Sequence, residues 1–210
     1  MDTIIQPSFT VGAQQGPFAN GVVTNGGLGP HAELLASQLD AQYRMGVRNS
    51  ETYFIANQSA TTTTIALAAT YTGCCLFNPI TSKKNLSILK VSCSLWAAPA
   101  GIVAVGLIVG WSAAGVTPAN ALTTYNAKTL VGGSPLSGAG GSSGCTLVGT
   151  PIWACMLSSA NASGALSTAS SPVWFDIGGT LEIPPGGYVA IGTQTVASIV
   201  GQIQWRDVDP

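Results

Sequence analysis

Leu86-Ser87-Ile88-Leu89-Lys90-Val91-Ser92-Cys93-Ser94-Leu95-Trp96-Ala97 decides the fold class. Leu89, Val91, Cys93 and Leu95 alternate with Lys90, Ser92 and Ser94, a period of two that places one face in a core and the other against polar surroundings. A helix would need apolar residues three and four apart, so residues 86–97 read as a strand. On its C-terminal side Ala98-Pro99-Ala100-Gly101 makes a turn, and the β-branched run Ile102, Val103, Val105, Ile108, Val109 predicts an antiparallel neighbour over residues 101–111.

Outward from this pair the signals remain those of strands. They begin at Thr61-Thr62-Thr63-Thr64-Ile65 and continue through Cys74-Cys75-Leu76-Phe77 to a turn at Asn78-Pro79. Further strands are expected near residues 146–156, 173–177, 180–183, 188–193 and 201–207. Pro184-Pro185-Gly186-Gly187 links two of them, and Asp176 and Glu182 stand as exposed charges about a Gly178-Gly179 turn. Residues 132–144 are Gly- and Ser-rich and read as a mobile surface loop.

Upstream, residues 1–30 hold six glycines and three prolines with no lasting periodicity, the pattern of an extended arm that orders on a partner. Residues 31–50 form one short helix: Ala32, Leu35, Ala36, Leu39 and Tyr43 share a face, Pro30 suits its start and Gly46 its end. Leu35, Leu39, Tyr43 and Met45 are the candidate interface residues of that helix. Many short strands without strand–helix alternation give an all-β fold, an antiparallel jelly-roll sandwich over residues 51–210 preceded by the arm and the helix.

Composition limits what such a fold does. The chain of 210 residues is 46% apolar and only 7% charged, against about 25% in ordinary soluble domains. Between Thr52 and Phe175 there is no acid, and the only formal charges are Lys83, Lys84, Lys90 and Lys128. A net charge of −1 gives no basic footprint for nucleic acid. So few charges predict a surface covered by copies of the chain or by a larger assembly. Residues 95–115 are apolar enough to raise a membrane span, and Gly106 and Gly110 have the spacing of packed spanning helices. Pro99 and the β-branched run favour a buried strand instead, and no membrane partner is expected.

Chemistry is sparsely provided for. Cys74, Cys75, Cys93, Cys145 and Cys155 form no metal-ligand spacing and read as small buried hydrophobes, with Cys74 and Cys75 on opposite strand faces. His31 is the only imidazole and stands at the arm–helix boundary, away from any nucleophile. Asp176, Glu182, Asp207 and Asp209 are the acids available for a carboxylate pair. Gly140-Gly141-Ser142-Ser143-Gly144 spells a nucleophile elbow but lacks the strand before it and the helix after it. Trp96, Trp111, Trp153, Trp174 and Trp205 mostly fall inside strand runs and are expected to pack in the core. Asn57, Asn85 and Asn161 match the glycosylation sequon, without the export signal that would give the matches meaning. No catalytic residue, cofactor or metal is assigned, and the chain reads as a non-enzyme.

The segment Val173-Trp174-Phe175-Asp176-Ile177-Gly178-Gly179-Thr180-Leu181-Glu182-Ile183-Pro184-Pro185-Gly186-Gly187-Tyr188-Val189-Ala190-Ile191-Gly192, followed by Ile203-Gln204-Trp205-Arg206-Asp207, resembles the end of a family of tailed-bacteriophage and prophage virion proteins. Residues 76–114, with Leu-Phe-Asn-Pro, Lys-Asn-Leu and Ala-Ala-Pro-Ala-Gly-Ile-Val-Ala-Val-Gly-Leu, are similar to the same family, as is Tyr43-Arg44-Met45-Gly46. The likeness spans residues 31–210. Pro184-Pro185-Gly186-Gly187-Tyr188-Val189-Ala190 and the terminal Trp-bearing strand also resemble the trimeric jelly rolls of tumour-necrosis-factor and complement-head type found in capsid cement and head-fibre proteins. The resemblance implies a capsid decoration or cement protein, made in the bacterial host cytoplasm, that binds the major capsid protein on the outer surface of the virion as a homotrimer. The alternative it implies is a head-fibre or tail-tip module that binds host surface glycans through loops such as residues 115–170.

Overall fold

The computed structural model describes residues 8–11, 22–25, 43–57, 61–63, 70–96, 101–160 and 173–210. The chain divides into two compact units, Met1–Met45 and Gly46–Pro210. In the first, β1 (Ser8–Val11) and β2 (Val22–Asn25) pair antiparallel, Ser8 opposite Asn25 and Val11 opposite Val22. The segment expected to be an extended arm contains this short β-ladder among its described residues. Leu35 and Leu39 lie outside the described residues, as does His31. Residues 31–42 of the expected helix lie outside the described residues; among the described residues helix is found over α1 (Arg44–Arg48), which holds Met45. Tyr43, half-buried, has φ 68°, a left-handed backbone that interrupts α-helical hydrogen bonding just where the expected helix was to run through.

The second unit is an antiparallel β-sandwich. Its strands in chain order are β3 (Thr52–Ala56), β4 (Thr61–Thr63), β5 (Thr70–Phe77), β6 (Asn85–Leu95), β7 (Val103–Trp111), β8 (Thr117–Leu122), β9 (Thr124–Asn126), β10 (Gly140–Thr146), β11 (Ile152–Ala160), β12 (Val173–Ile183), β13 (Gly187–Thr193) and β14 (Ala197–Val208). The first sheet runs β12-β6-β14-β3-β9, with β4 also on β14; the second runs β11-β7-β13-β5-β10-β8. Pairing is nested: β3 meets β14, β5 meets β13, β6 meets β12 and β7 meets β11.

Between the sheets lie Ile55, Leu76, Ile88, Val91, Leu107, Val189, Ile191, Ile203 and Trp205, all buried in one apolar cluster. The outer face of the second sheet carries its own smaller cluster of Tyr71, Cys75, Ile108, Cys145, Leu147, Tyr188 and Ala190. Cys74 belongs to the inner cluster and Cys75 to the outer one, on opposite faces as strand alternation requires. All five cysteines are free thiols.

β6 and β7 are not hairpin partners but sit in opposite sheets. Alternation along a strand reports which face is buried and says nothing of which edge pairs, and Val91 and Cys93 of β6 share the core cluster with Val103, Val105 and Leu107 of β7. Residues 173–183 form one strand rather than two, with left-handed Gly178 (φ 65°) and Gly179 (φ 79°) absorbing a break in register against β6.

Residues 132–144 also depart from expectation. The Gly/Ser tract is no mobile loop; its second half is β10, hydrogen-bonded to β5 on one side and β8 on the other. Its small side chains allow close approach. A Cβ on Gly141 would stand 2.7 Å from Ile55 Cγ2 of the facing sheet, and one on Gly140 2.9 Å from the Phe77 ring. The tract's first half is tied down too: buried Asp207 accepts hydrogen bonds from Ser137 N (2.9 Å), Ser137 Oγ (2.9 Å) and Trp205 Nε1 (3.2 Å). Gly106 and Gly110, whose spacing suited spanning helices, make room on β7 instead. A Cβ at Gly106 would strike the Trp153 ring at 2.9 Å, and one at Gly110 would meet the Tyr188 hydroxyl. No helix among the described residues is long and apolar enough to cross a membrane.

Candidate binding face on the first sheet

Strand register aligns the solvent side of the first sheet into two cross-strand rows. One is Trp174, Ser92, Gln202 and Ala56, on β12, β6, β14 and β3. The other is Asp176, Lys90, Gln204, Phe54 and Tyr125, extending to β9. Directly opposed residues on antiparallel strands have Cβ atoms about 4.5–5.5 Å apart, so each row is a continuous band of side chains. Lys90, Ser92, Trp174, Gln202 and Gln204 surround a shallow hollow of about 30 Å³, with Val91 also contributing to its lining. The Lys90 Nζ stands 4.7 Å from the Trp174 ring centroid, within cation–π range. At the far end Phe54 and Tyr125 stack with centroids 5.2 Å apart and planes at 18°.

Trp174 is 61% exposed, and Trp96 and Trp111 are also more than half exposed, whereas Trp205 is fully buried. Core packing, expected for most of the five, holds for Trp205; Trp153 packs partly buried against the outer cluster of the second sheet. The reason is positional. Trp174 falls on the outward parity of β12 and Trp96 on that of β6, one residue past its end and opposite Ser198, whereas Trp111 falls at the end of β7 where the sandwich no longer covers it.

Exposed apolar groups gather at those ends. Trp96, Ile102 and Val196 share one: Trp96 N donates to Ser198 O (2.9 Å), Thr195 Oγ1 to Ile102 O (3.5 Å) and Gln194 N to Ala104 O (2.9 Å). At the other end Trp111 Nε1 donates to Pro185 O (2.7 Å), and Gly186, with φ 83°, lies against both Trp111 and Ile80. Along β11, an outer strand of the second sheet, Ile152 and Met156 are exposed. The region expected to supply binding loops, residues 115–170, is mostly sheet up to residue 160, with β8 through β11 inside it.

The acids do not converge on one site. Asp207 is buried beneath Ser137, Asp209 pairs with Lys84 at 2.5 Å, Glu182 accepts from Asn85 Nδ2 at 3.4 Å, and Asp176 lies opposite Lys90. No cluster of three metal-ligating side chains occurs among the described residues. Ser142 of the elbow-like tract is fully buried, its hydroxyl within 2.9 Å of Asn120 O and 2.6 Å of Gly144 O. Burial pushes the thiols of Cys74 up to about 12 and Cys93 up to about 11, which keeps both protonated at neutral pH. Asn57, in one of the sequons, is buried and bridges Ile199 O and Gly201 N.

The polar parity of each strand in the face was legible from Lys90-x-Ser92-x-Ser94 and Gln202-x-Gln204. The rows themselves needed the register, which joins residues more than a hundred positions apart. Comparison with family models, with curated proteins and with solved structures gives no match for this chain.

Proposed function

We propose that this chain is a structural protein of a tailed-phage virion that decorates the outer capsid surface as a homotrimer, its sandwich a jelly roll. The nested pairing supports the jelly-roll reading. A chain doubled on itself so that its first strand meets its last and then wound into two sheets pairs its strands in this order, with β8 to β10 as an insertion between β7 and β11.

One observation carries the assembly reading. Large apolar side chains, Trp96 67% and Ile102 66% exposed among them, cluster at the ends of a sandwich that has four charges between residues 52 and 175. Contiguous apolar patches without charge mark surfaces that become buried in association. The capsid protein and neighbouring copies are the surfaces that would cover them. In such a lattice many weak contacts add by avidity, and the shell is stabilised without chemistry.

The test is direct. Sedimentation velocity of the purified protein gives a trimer on this reading, and electron micrographs of particles with and without the protein show density at many symmetry-related capsid positions. A single-subunit species at high concentration with no affinity for shells overturns it.

A further inference from the structure

From the outer face of the first sheet we infer a second activity: it is a saccharide-binding platform, on which a neutral pyranose lies over Trp174 and is held through its hydroxyls by Ser92, Gln202 and Gln204. This does not rest on the assembly reading, which uses the ends of the sandwich. A sugar ring presents a patch of C–H groups bordered by hydroxyls that each donate and accept. The complement is an open aromatic ring bordered by groups that also do both. Trp174, 61% exposed with Lys90 Nζ over the ring at 4.7 Å from its centroid, supplies the ring, the two carboxamides and the serine hydroxyl supply the border, and all of them line one hollow.

Three features select this occupant over others. The hollow is only about 30 Å³, which suits a ligand lying flat across the sheet and not one inserted into it. An apolar protein surface would bury Ser92 and two carboxamides against groups that cannot hydrogen-bond them, at a desolvation cost. A polyanion is disfavoured because Asp176 stands opposite Lys90 in the same row and offsets its charge.

The platform is also stiff. Ser92, Lys90, Gln202 and Gln204 sit on β6 and β14, each hydrogen-bonded on both sides, so little side-chain-bearing backbone needs ordering on binding. From β12 to β9 the second row crosses four strand spacings of about 4.8 Å, roughly 19 Å, and ends on the Phe54–Tyr125 stack. That length and the second aromatic pair fit a linear oligosaccharide better than a single sugar.

Saturation-transfer NMR and calorimetry with hexasaccharides of the maltose, cellulose, chitin and mannan series test the inference. At least one series should bind saturably, with dissociation constants in the millimolar range or tighter and tighter than its monosaccharide. Trp174→Ala should weaken that binding at least tenfold, Gln202→Ala and Gln204→Ala several-fold each, and Lys83→Ala, exposed in the turn between β5 and β6, should leave it unchanged. Trp174→Phe should restore part of the loss, and it serves as the reading should Trp174→Ala fail to fold. No saturable binding by any series, or wild-type binding by the Trp174 variants, overturns the inference. So does a Trp174→Ala variant whose only change is in sedimentation, which would make the face a contact between copies.

Discussion

Gly141→Ala separates a packed strand from a mobile tract by the sign of its effect. In the sandwich, the added Cβ would lie 2.7, 2.9 and 3.1 Å from Cγ2, Cδ1 and Cβ of Ile55, where ordinary contacts begin near 3.4 Å. Ile55 is fully buried on β3 and has no open space to retreat into. Overpacking of this kind costs about 1–3 kcal/mol. Restricting the unfolded chain returns roughly 0.4–1 kcal/mol, leaving a net loss of about 1–2 kcal/mol. For a domain of this size that corresponds to a fall in Tm of roughly 2–8 °C. Were residues 132–144 a loop, only the unfolded-state gain would operate and Tm would hold or rise. Gly132→Ala, with no atom within 4 Å of its Cβ, is the matched control and should stay within about 0.5 kcal/mol of wild type. Urea titration and differential scanning calorimetry on both variants read the difference. A Gly141→Ala variant as stable as Gly132→Ala refutes the packing argument.

Asp207→Asn should destabilise by about 2–3 kcal/mol in urea titration, because it turns an amide towards donors that now meet a carboxylate, and Glu51→Gln, which breaks a half-exposed pair with Arg206, by less than about 1 kcal/mol. Gly186→Ala combines a left-handed φ with a Cβ 2.7 Å from Ser112 O, and calorimetry should show a loss of at least about 1 kcal/mol. Alkaline pH should weaken the fold. Burial raises Cys74 and Cys93 above their ordinary 9.0, so the folded state keeps protons that the unfolded state releases. Their contribution is complete below pH 9 and declines above it by up to about 1.4 kcal/mol per pH unit for each thiol. Urea midpoints measured between about pH 8 and pH 10 should therefore fall, and fall less steeply in Cys93→Ser; parallel slopes for the two proteins contradict the assignment.

The strands were legible wherever one face is apolar and the other polar. β6 and β14 announce themselves by period two, β5 by its Cys-Cys-Leu-Phe run, and β13, buried on both faces, by an unbroken apolar run after the Pro-Pro-Gly-Gly turn. β10 was not legible, because a strand that must be thin enough for Ile55 and Phe77 to close over it has the composition of a linker. Exposure of Trp174 followed from its parity on β12, which could be counted from Asp176 and Thr180. Exposure of Trp96 likewise followed from its parity, counted from Lys90, Ser92 and Ser94, whereas that of Trp111 depended on where the facing sheet stops. The binding face was partly legible: Lys90 and Ser92 read as outward, but their juxtaposition with Gln202 and Gln204 arises from pairings such as Gln202 with Ser92 that no local pattern encodes. The apolar ends were foreshadowed by the scarcity of charge, though not located.

Because β14 completes both β3 and β6, the order in which the ribosome delivers the chain matters. Ala56 emerges long before its partner Gln202. At about 5–20 residues per second, the early strands wait on the order of ten seconds with their edges unmatched. Contacts of such high sequence separation slow folding. A growing polypeptide with so few charges to discourage sticking is then vulnerable on crowded polysomes, and holdase chaperones or slower expression should raise its recovery in native form.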